Sequence, residues 1–203
     1  MIELLAITDD ATPPDPPLGA VRCGRLSVLW APATEAALDA DALWQREVLL
    51  EQLMERRDLL PVRLGTLVAD ERAACEAIAP RGDELARALE RVRGAVELSV
   101  RALGASDDAP SPAPGEQTGR EYLRDRLARD ALAREVHAPL AAAARASVVL
   151  DGPEVLRAAY LVDRDEVDAF VARFRRLQHE CSSVAMVCTG PWPPYSFAEE
   201  GDA

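Results

Sequence analysis

The segment Gly190-Pro191-Trp192-Pro193-Pro194-Tyr195-Ser196-Phe197, near the end of the 203-residue chain, narrows its folding options more than any other stretch. Three prolines in four positions rule out a continuing helix, because each fixes φ and lacks an N–H. They also rule out the middle of a sheet. The expectation is an extended, stiff arm with its backbone largely preset. The arm carries a Trp, a Tyr and a Phe in a chain that has only three of each. Large rings on a pre-ordered backbone bury much area at small entropic cost. Such an arm either staples onto its own domain or grips another molecule. Since most aromatics belong to cores, the staple is the favoured reading for Trp192 and Tyr195, with partner contact second.

Composition limits what there is to grip. The formal charge is −12, which disfavours nucleic acid, since phosphate binding calls for clustered positive charge. It equally disfavours anionic membrane surfaces. All 23 basic side chains are Arg, and there is no Lys and no Asn; nucleotide composition is the simplest reason. Cys23, Cys75, Cys181 and Cys188 show neither C-x-x-C nor zinc-ligand spacing. The first ten residues lack a signal peptide's basic start and long apolar run. No stretch approaches the roughly 18 apolar residues that span a bilayer. The expectation is a cytoplasmic protein with free, mostly buried thiols.

Periodicity gives an α+β chain. Residues 2–7 and 21–30 read as strands on either side of a proline loop at 11–17. A helix with Thr34 as N-cap follows, with an apolar stripe of Leu43, Trp44, Val48, Leu50, Leu53 and Met54; Glu47, Glu51, Glu55 and Arg56 are its solvated positions. Leu59–Val68 is a strand-like run in which Pro61 marks a start or an edge and Gly65 permits a bulge or close packing. Short helices at 70–79 and 82–92 end the first half. After Gly94, Val96, Leu98 and Val100 alternate with Glu97, Ser99 and Arg101, a half-buried strand pattern. Residues 104–118 lack large apolar side chains and read as a loop or disordered insert. A long helix spans about 119–145, with Leu123, Leu127, Ala131, Val136 and Leu140 as inward candidates and a kink at Pro139. Strands at 147–150 and 156–162 precede a helix capped by Asp163 or Asp165, and 183–189 is the last strand. From Gly94 the order is β-α-β-β-α-β, the ferredoxin-like order. The expected organisation is therefore two small α+β domains, 1–93 and 94–189, the second ferredoxin-like with its insert at 104–118, followed by the arm and acidic tail at 190–203.

No chemistry rises above background. His179-Glu180-Cys181 puts a histidine near a thiol, but a working dyad is built from spatial rather than sequence neighbours. A helix end with a solvent-facing His is the simpler reading. His137 lies on another helix, and no acidic cluster beside either histidine makes a metal site. Asp9-Asp10, Asp107-Asp108 and Glu199-Glu200 read as solvated charge. No glycine-rich phosphate loop is present. No catalytic, metal or cofactor residue is therefore assigned. Arg63 is the one charge in the apolar run from Leu60 to Thr66; it faces solvent or an internal carboxylate, or pairs with a partner's carboxylate.

Two segments taken together, Leu60-Pro61-Val62-Arg63-Leu64-Gly65-Thr66 and the terminal Gly190–Phe197, resemble the signature segments of gas vesicle accessory proteins of the GvpF/GvpL type. Gly94–Arg101 is similar to that family's middle strand, and Gly119-Arg120-Glu121-Tyr122-Leu123 to the start of its long helix. The chain departs from the pattern at Leu64, where the family usually has Phe, and at Leu98, where an aromatic is common. The resemblance implies two α+β domains, the second ferredoxin-like. It implies a non-enzymatic, cytoplasmic role in building gas vesicles, in nucleation or as part of the gas-facing inner surface, with the small hydrophobic shell protein (GvpA type) and other accessory proteins as partners. The signature residues are Pro61, Arg63, Gly65, Trp192, Pro193, Pro194, Tyr195 and Phe197, with partner binding and structural locking both open as their role. A shell subunit that is apolar on one face is prone to aggregate before assembly. A soluble acidic protein covering that face through a few anchors would keep it competent. The rival readings are a small enzyme or a ligand-binding regulatory module on ferredoxin-like domains.

Overall fold

A computed structural model of the chain describes residues 1–33, 40–104, 119–152, 154–181 and 184–198. Thr34, the insert from 105 to 118 and the acidic pairs Asp107-Asp108 and Glu199-Glu200 lie outside them. The chain forms two compact units. One comprises Met1–Ala95 with the chain from Trp192 onward, the other Val96–Pro191. The fold is α+β, with a sheet in each unit.

In the first unit, β1 (Ile2–Thr8) is central and buried from Leu4 to Thr8. It pairs antiparallel with β3 (Leu26–Pro32) on one side, and with the short β4 (Leu60–Pro61) and β5 (Leu67–Val68) on the other. β2 (Gly19–Cys23) pairs with β3 at the edge. The single strand expected over 21–30 is instead a hairpin. Cys23 pairs with Leu26 across a two-residue turn, and Gly24, at φ 66°, supplies the left-handed conformation the turn requires. Gly19 faces Trp30 in the same ladder, and a Cβ there would collide with the indole ring.

Helix α1 (Ala40–Arg56) turns a different face inward from the one expected. Leu50, Leu53 and Met54 are buried, but Leu43 and Trp44 are 42% and 66% exposed. The inward phase runs through Arg46, Leu50 and Leu53 at i, i+4, i+7, and Trp44 sits about 200° from Arg46 around the helix axis. Helix α2 (Glu71–Ile78) starts at Asp70, whose carboxylate accepts from the Ala73 N–H at 2.8 Å. Helix α3 (Gly82–Val92) buries Leu85, Ala88, Leu89 and Val92, an unbroken i, i+3, i+4, i+7 stripe. It ends before Gly94, at φ 68°, whose N–H donates to Asp58. The free-thiol expectation fails in this unit, because Cys23 at the end of β2 is disulfide-bonded to Cys75 in α2. A separation of 52 residues hides that pairing from any spacing rule.

The second unit contains β6 (Ala95–Gly104), α4 (Gly119–Ala141), β7 (Ala146–Val149), β8 (Leu156–Asp163), α5 (Val167–Glu180) and β9 (Val184–Trp192), in the sheet order β7-β8-β6-β9. Its core joins Leu98, Val100 and Ala102 of β6 to Tyr160 of β8, Val136 and Leu140 of α4, and Phe170, Phe174 and Leu177 of α5. Tyr160 and Phe170 pack with ring centroids 5.3 Å apart. Three expectations need correction. Glu97 is only 6% exposed, because β6 is an interior strand enclosed from Ala95 through Leu98. Leu127 and Ala131 are exposed, whereas Val136 and Leu140 are buried; the side chain of Leu123 lies outside the described residues. Neither Asp163 nor Asp165 caps α5, which is entered through a 3-10 turn at Arg164–Glu166; Asp163 pairs instead with Arg145.

The end of the chain also differs from a free extended arm. β9 continues through Pro191 to Trp192. It is the last strand of its sheet, and an edge strand accommodates a residue without an N–H. The aromatic end then coils into a 3-10 turn over Tyr195–Phe197.

Candidate functional site

The Leu60–Thr66 run and the terminal segment from Trp192 onward fall in the first unit, and residues from each line one cavity of about 480 Å³. The Leu60–Thr66 run forms one wall. Pro61 pairs with Ala6 of β1 and is buried. The chain then turns back at Gly65, where φ is 74°. Thr66 closes this turn, donating from both its N–H and its hydroxyl to the Arg63 carbonyl, at 3.3 and 2.6 Å. The Val62 N–H donates to Leu5 O, and the Leu4 N–H to Thr66 O. β1 therefore grips the run on both sides of the turn.

A buried guanidinium fixes the turn from below. Arg46, 7% exposed, donates to Glu3 Oε1 at 2.6 Å and to the Val62 carbonyl at 2.6 Å, and more weakly to Leu4 O. The Gly65 N–H donates to the same Glu3 oxygen at 3.3 Å. The planar fork thus serves a carboxylate and backbone carbonyls together, which an ammonium on a flexible stem does poorly. Sequence reasoning missed both Arg46 and Glu3. The available signal was that Arg46 sits four residues before Leu50, in the buried phase of α1.

Of the arm, Tyr195 and Ala198 reach the cavity, while Pro193, Pro194 and Phe197 are buried and Trp192 is half-buried. The Phe197 carbonyl accepts from Arg91 of α3 at 3.0 Å. Tyr195 is 37% exposed, and its hydroxyl donates to Glu47 of α1 at 2.9 Å. Partial burial and then the Glu47 carboxylate hold the Tyr195 hydroxyl well above its ordinary pKa. Arg63 is exposed, and Ala77, Ile78, Arg81 and Leu85 complete the opposite wall. The groove therefore combines an apolar floor, Arg63, and a tyrosine anchored by a carboxylate, a composition suited to holding a side chain or helix of another protein.

The histidines have other uses. His137 Nδ1 lies 2.9 Å from the hydroxyl of buried Tyr160, and burial pushes that phenol's pKa upward. His179 is exposed in the last turn of α5, whereas Cys181 is buried. Among the described residues, no group of three His, Cys, Asp or Glu side chains is placed to hold a metal ion. No described helix is long and apolar enough to cross a membrane.

Comparison with known proteins adds a lineage to this geometry. The family model described as gas vesicle synthesis protein GvpL/GvpF matches residues 9–199. Gas vesicle protein L of a Streptomyces strain is 34% identical over 186 residues, covering 78% of this chain and 69% of that protein. Gas vesicle protein F1 of Halobacterium salinarum is 29% identical over 163 residues, covering 79% and 70%. The crystal structure of gas vesicle protein GvpF from Microcystis aeruginosa matches with a TM-score of 0.79 over 98% of this chain and 99% of that one; at 17% identity this is a likeness of fold.

Proposed function

Because this chain belongs to the gas vesicle synthesis protein GvpL/GvpF family, we propose that it is a non-enzymatic accessory protein required for gas vesicle formation. In this reading it works in the cytoplasm, binding the small hydrophobic shell protein and other accessory proteins during nucleation and assembly. The observation that carries the reading is the convergence of both signature segments on one groove, through Pro61, Arg63 and Tyr195. An apolar groove beside charged and phenolic groups would cover an apolar segment of a subunit while the acidic body keeps the complex dispersed. Its residues divide between the two roles. Pro193, Pro194 and Phe197 lock the arm, and Tyr195 and Arg63 face the partner. The β-α-β-β-α-β order and the β7-β8-β6-β9 sheet support a ferredoxin-like second domain.

The test is genetic and then biochemical. Deleting the gene in a producing cell that has no paralogue should abolish or malform vesicles, and normal vesicles would overturn the proposal. With purified protein, Arg63→Ala and Tyr195→Ala should each weaken capture of the shell protein while leaving the fold intact. Undiminished capture by the double variant would remove the groove from the account.

A further inference from the structure

The four cysteines fall into two chemically different pairs. Cys181 is buried and Cys188 half-buried, and burial pushes both thiols up, Cys188 to about 11, which leaves them poor nucleophiles. Cys23 and Cys75 are bonded to each other and only half-buried. Both line a cavity of about 570 Å³ beside the hairpin turn, with Arg25 and Asp83 pairing across 2.6 Å in its wall. The bond anchors α2, an eight-residue helix, to β2. So short a helix has little stability of its own. Besides this bond, it is held by burial of Ala74 and Ile78 and by the Trp30 indole N–H donating to Glu71 at 3.1 Å. Ile78 lines both the disulfide cavity and the signature groove, and Ala77 lines the groove as well.

We propose that Cys23 and Cys75 form a reversible thiol–disulfide site, opened by a dithiol reductant and closed by a low-molecular-weight disulfide, which sets how firmly α2 stands as a wall of the groove. In opening, a reductant thiolate attacks one sulfur and the other leaves as a thiolate. The second reductant thiol then resolves the mixed disulfide. Two electrons and two protons pass to the cysteines, and the reductant leaves as a disulfide; closing reverses these exchanges. A disulfide in a reducing cytoplasm is usually transient or redox-sensing rather than permanent, and half-burial at a cavity gives a reagent access. The effect on partner binding rests on the groove reading above and the expectation of a transient bond on the cytoplasmic setting proposed with it, whereas access to the half-buried sulfurs rests on neither.

The full-length protein is equilibrated across a series of reduced-to-oxidised glutathione ratios, with a final sample in excess dithiol. Each is trapped with an alkylating agent under denaturing conditions and weighed. The expected result is two alkylated cysteines at the oxidised end and four at the reduced end, reversibly. Reduction should lower Tm by on the order of 10 °C and speed amide exchange in 71–78 by at least about tenfold. The Cys23→Ser/Cys75→Ser variant should exchange fast at every ratio. Four alkylated cysteines at every ratio, two even in excess dithiol, or an α2 exchange rate indifferent to reduction would each overturn the proposal; all are read on the wild type, whether or not the variant folds. Shell-protein capture by the two redox forms separates the readings. Weaker capture on reduction supports the link to the groove. Equal capture breaks that link, and no capture by either form counts against the groove reading alone.

Discussion

The second unit has aromatic rings at its centre, Tyr160 against Phe170 with Phe174 beside them, all contributed by its own consecutive elements. Within 1–95 of the first unit, the described buried apolar residues are all aliphatic, and the buried ring, Phe197, arrives from the far end of the chain. The first unit also encloses a cation, Arg46, and uses it to tie β1, α1 and the Leu60–Thr66 turn together. Its enclosure thus depends on one polar hub and one distant segment, while the second unit closes around a ring core drawn from its own elements. The signature residues cluster in the unit that depends on distant and polar closure.

The largest expected effect tests the polar hub. Arg46→Ala leaves Glu3 and the Val62 carbonyl without their charged donor and should cost about 3–5 kcal/mol in denaturant unfolding; a loss under about 1 kcal/mol would make the hub incidental. Next, Phe197→Ala and Phe170→Ala should each cost about 3 kcal/mol or more. Residue-resolved hydrogen exchange distinguishes them, with Phe197→Ala loosening α1 and α3 and Phe170→Ala loosening β8 and α5. If Phe197→Ala instead loosened the second unit, the contrast between the units would collapse.

Smaller effects sharpen it. Tyr160→Phe strands His137 beside a buried ring and should cost about 1–2 kcal/mol. Gly65→Ala forces a side chain into a left-handed conformation, at about 1–2 kcal/mol. Tyr195→Phe should cost less than about 1 kcal/mol at neutral pH, since it removes one half-exposed hydrogen bond. The folded protein holds that phenolic proton more tightly than the unfolded chain does. The contribution is therefore complete below about pH 10 and lost as pH rises further. Thermal melts of wild type should fall faster above that pH than those of Tyr195→Phe, and parallel curves would show that the proton is not held.

Much of the architecture was legible from local rules. Helices α2, α3 and α5, the strands β7 and β8 and the β-α-β-β-α-β order follow from apolar spacing and turn residues, because period and punctuation are local properties of the chain. The two signature segments stood out by residue type alone, through prolines, glycine and rings in unusual density. What those segments touch did not. A helix stripe fixes which residues share a face, not which face turns inward, so the stripe includes the exposed Trp44 and passes over the buried Arg46. Likewise, a cysteine's partner 52 residues away leaves no trace in spacing.

The sequence by itself determined the fold class, through period and punctuation, and the family, through the resemblance of two motif segments. Only the tertiary structure decided that Phe197 of the arm is buried while Tyr195 stays half-exposed against Glu47, and that Pro61, Arg63 and Tyr195 line one groove. The physical reason is that burial and charge pairing belong to neighbours in space, and here the neighbours lie as far as 148 residues apart along the chain.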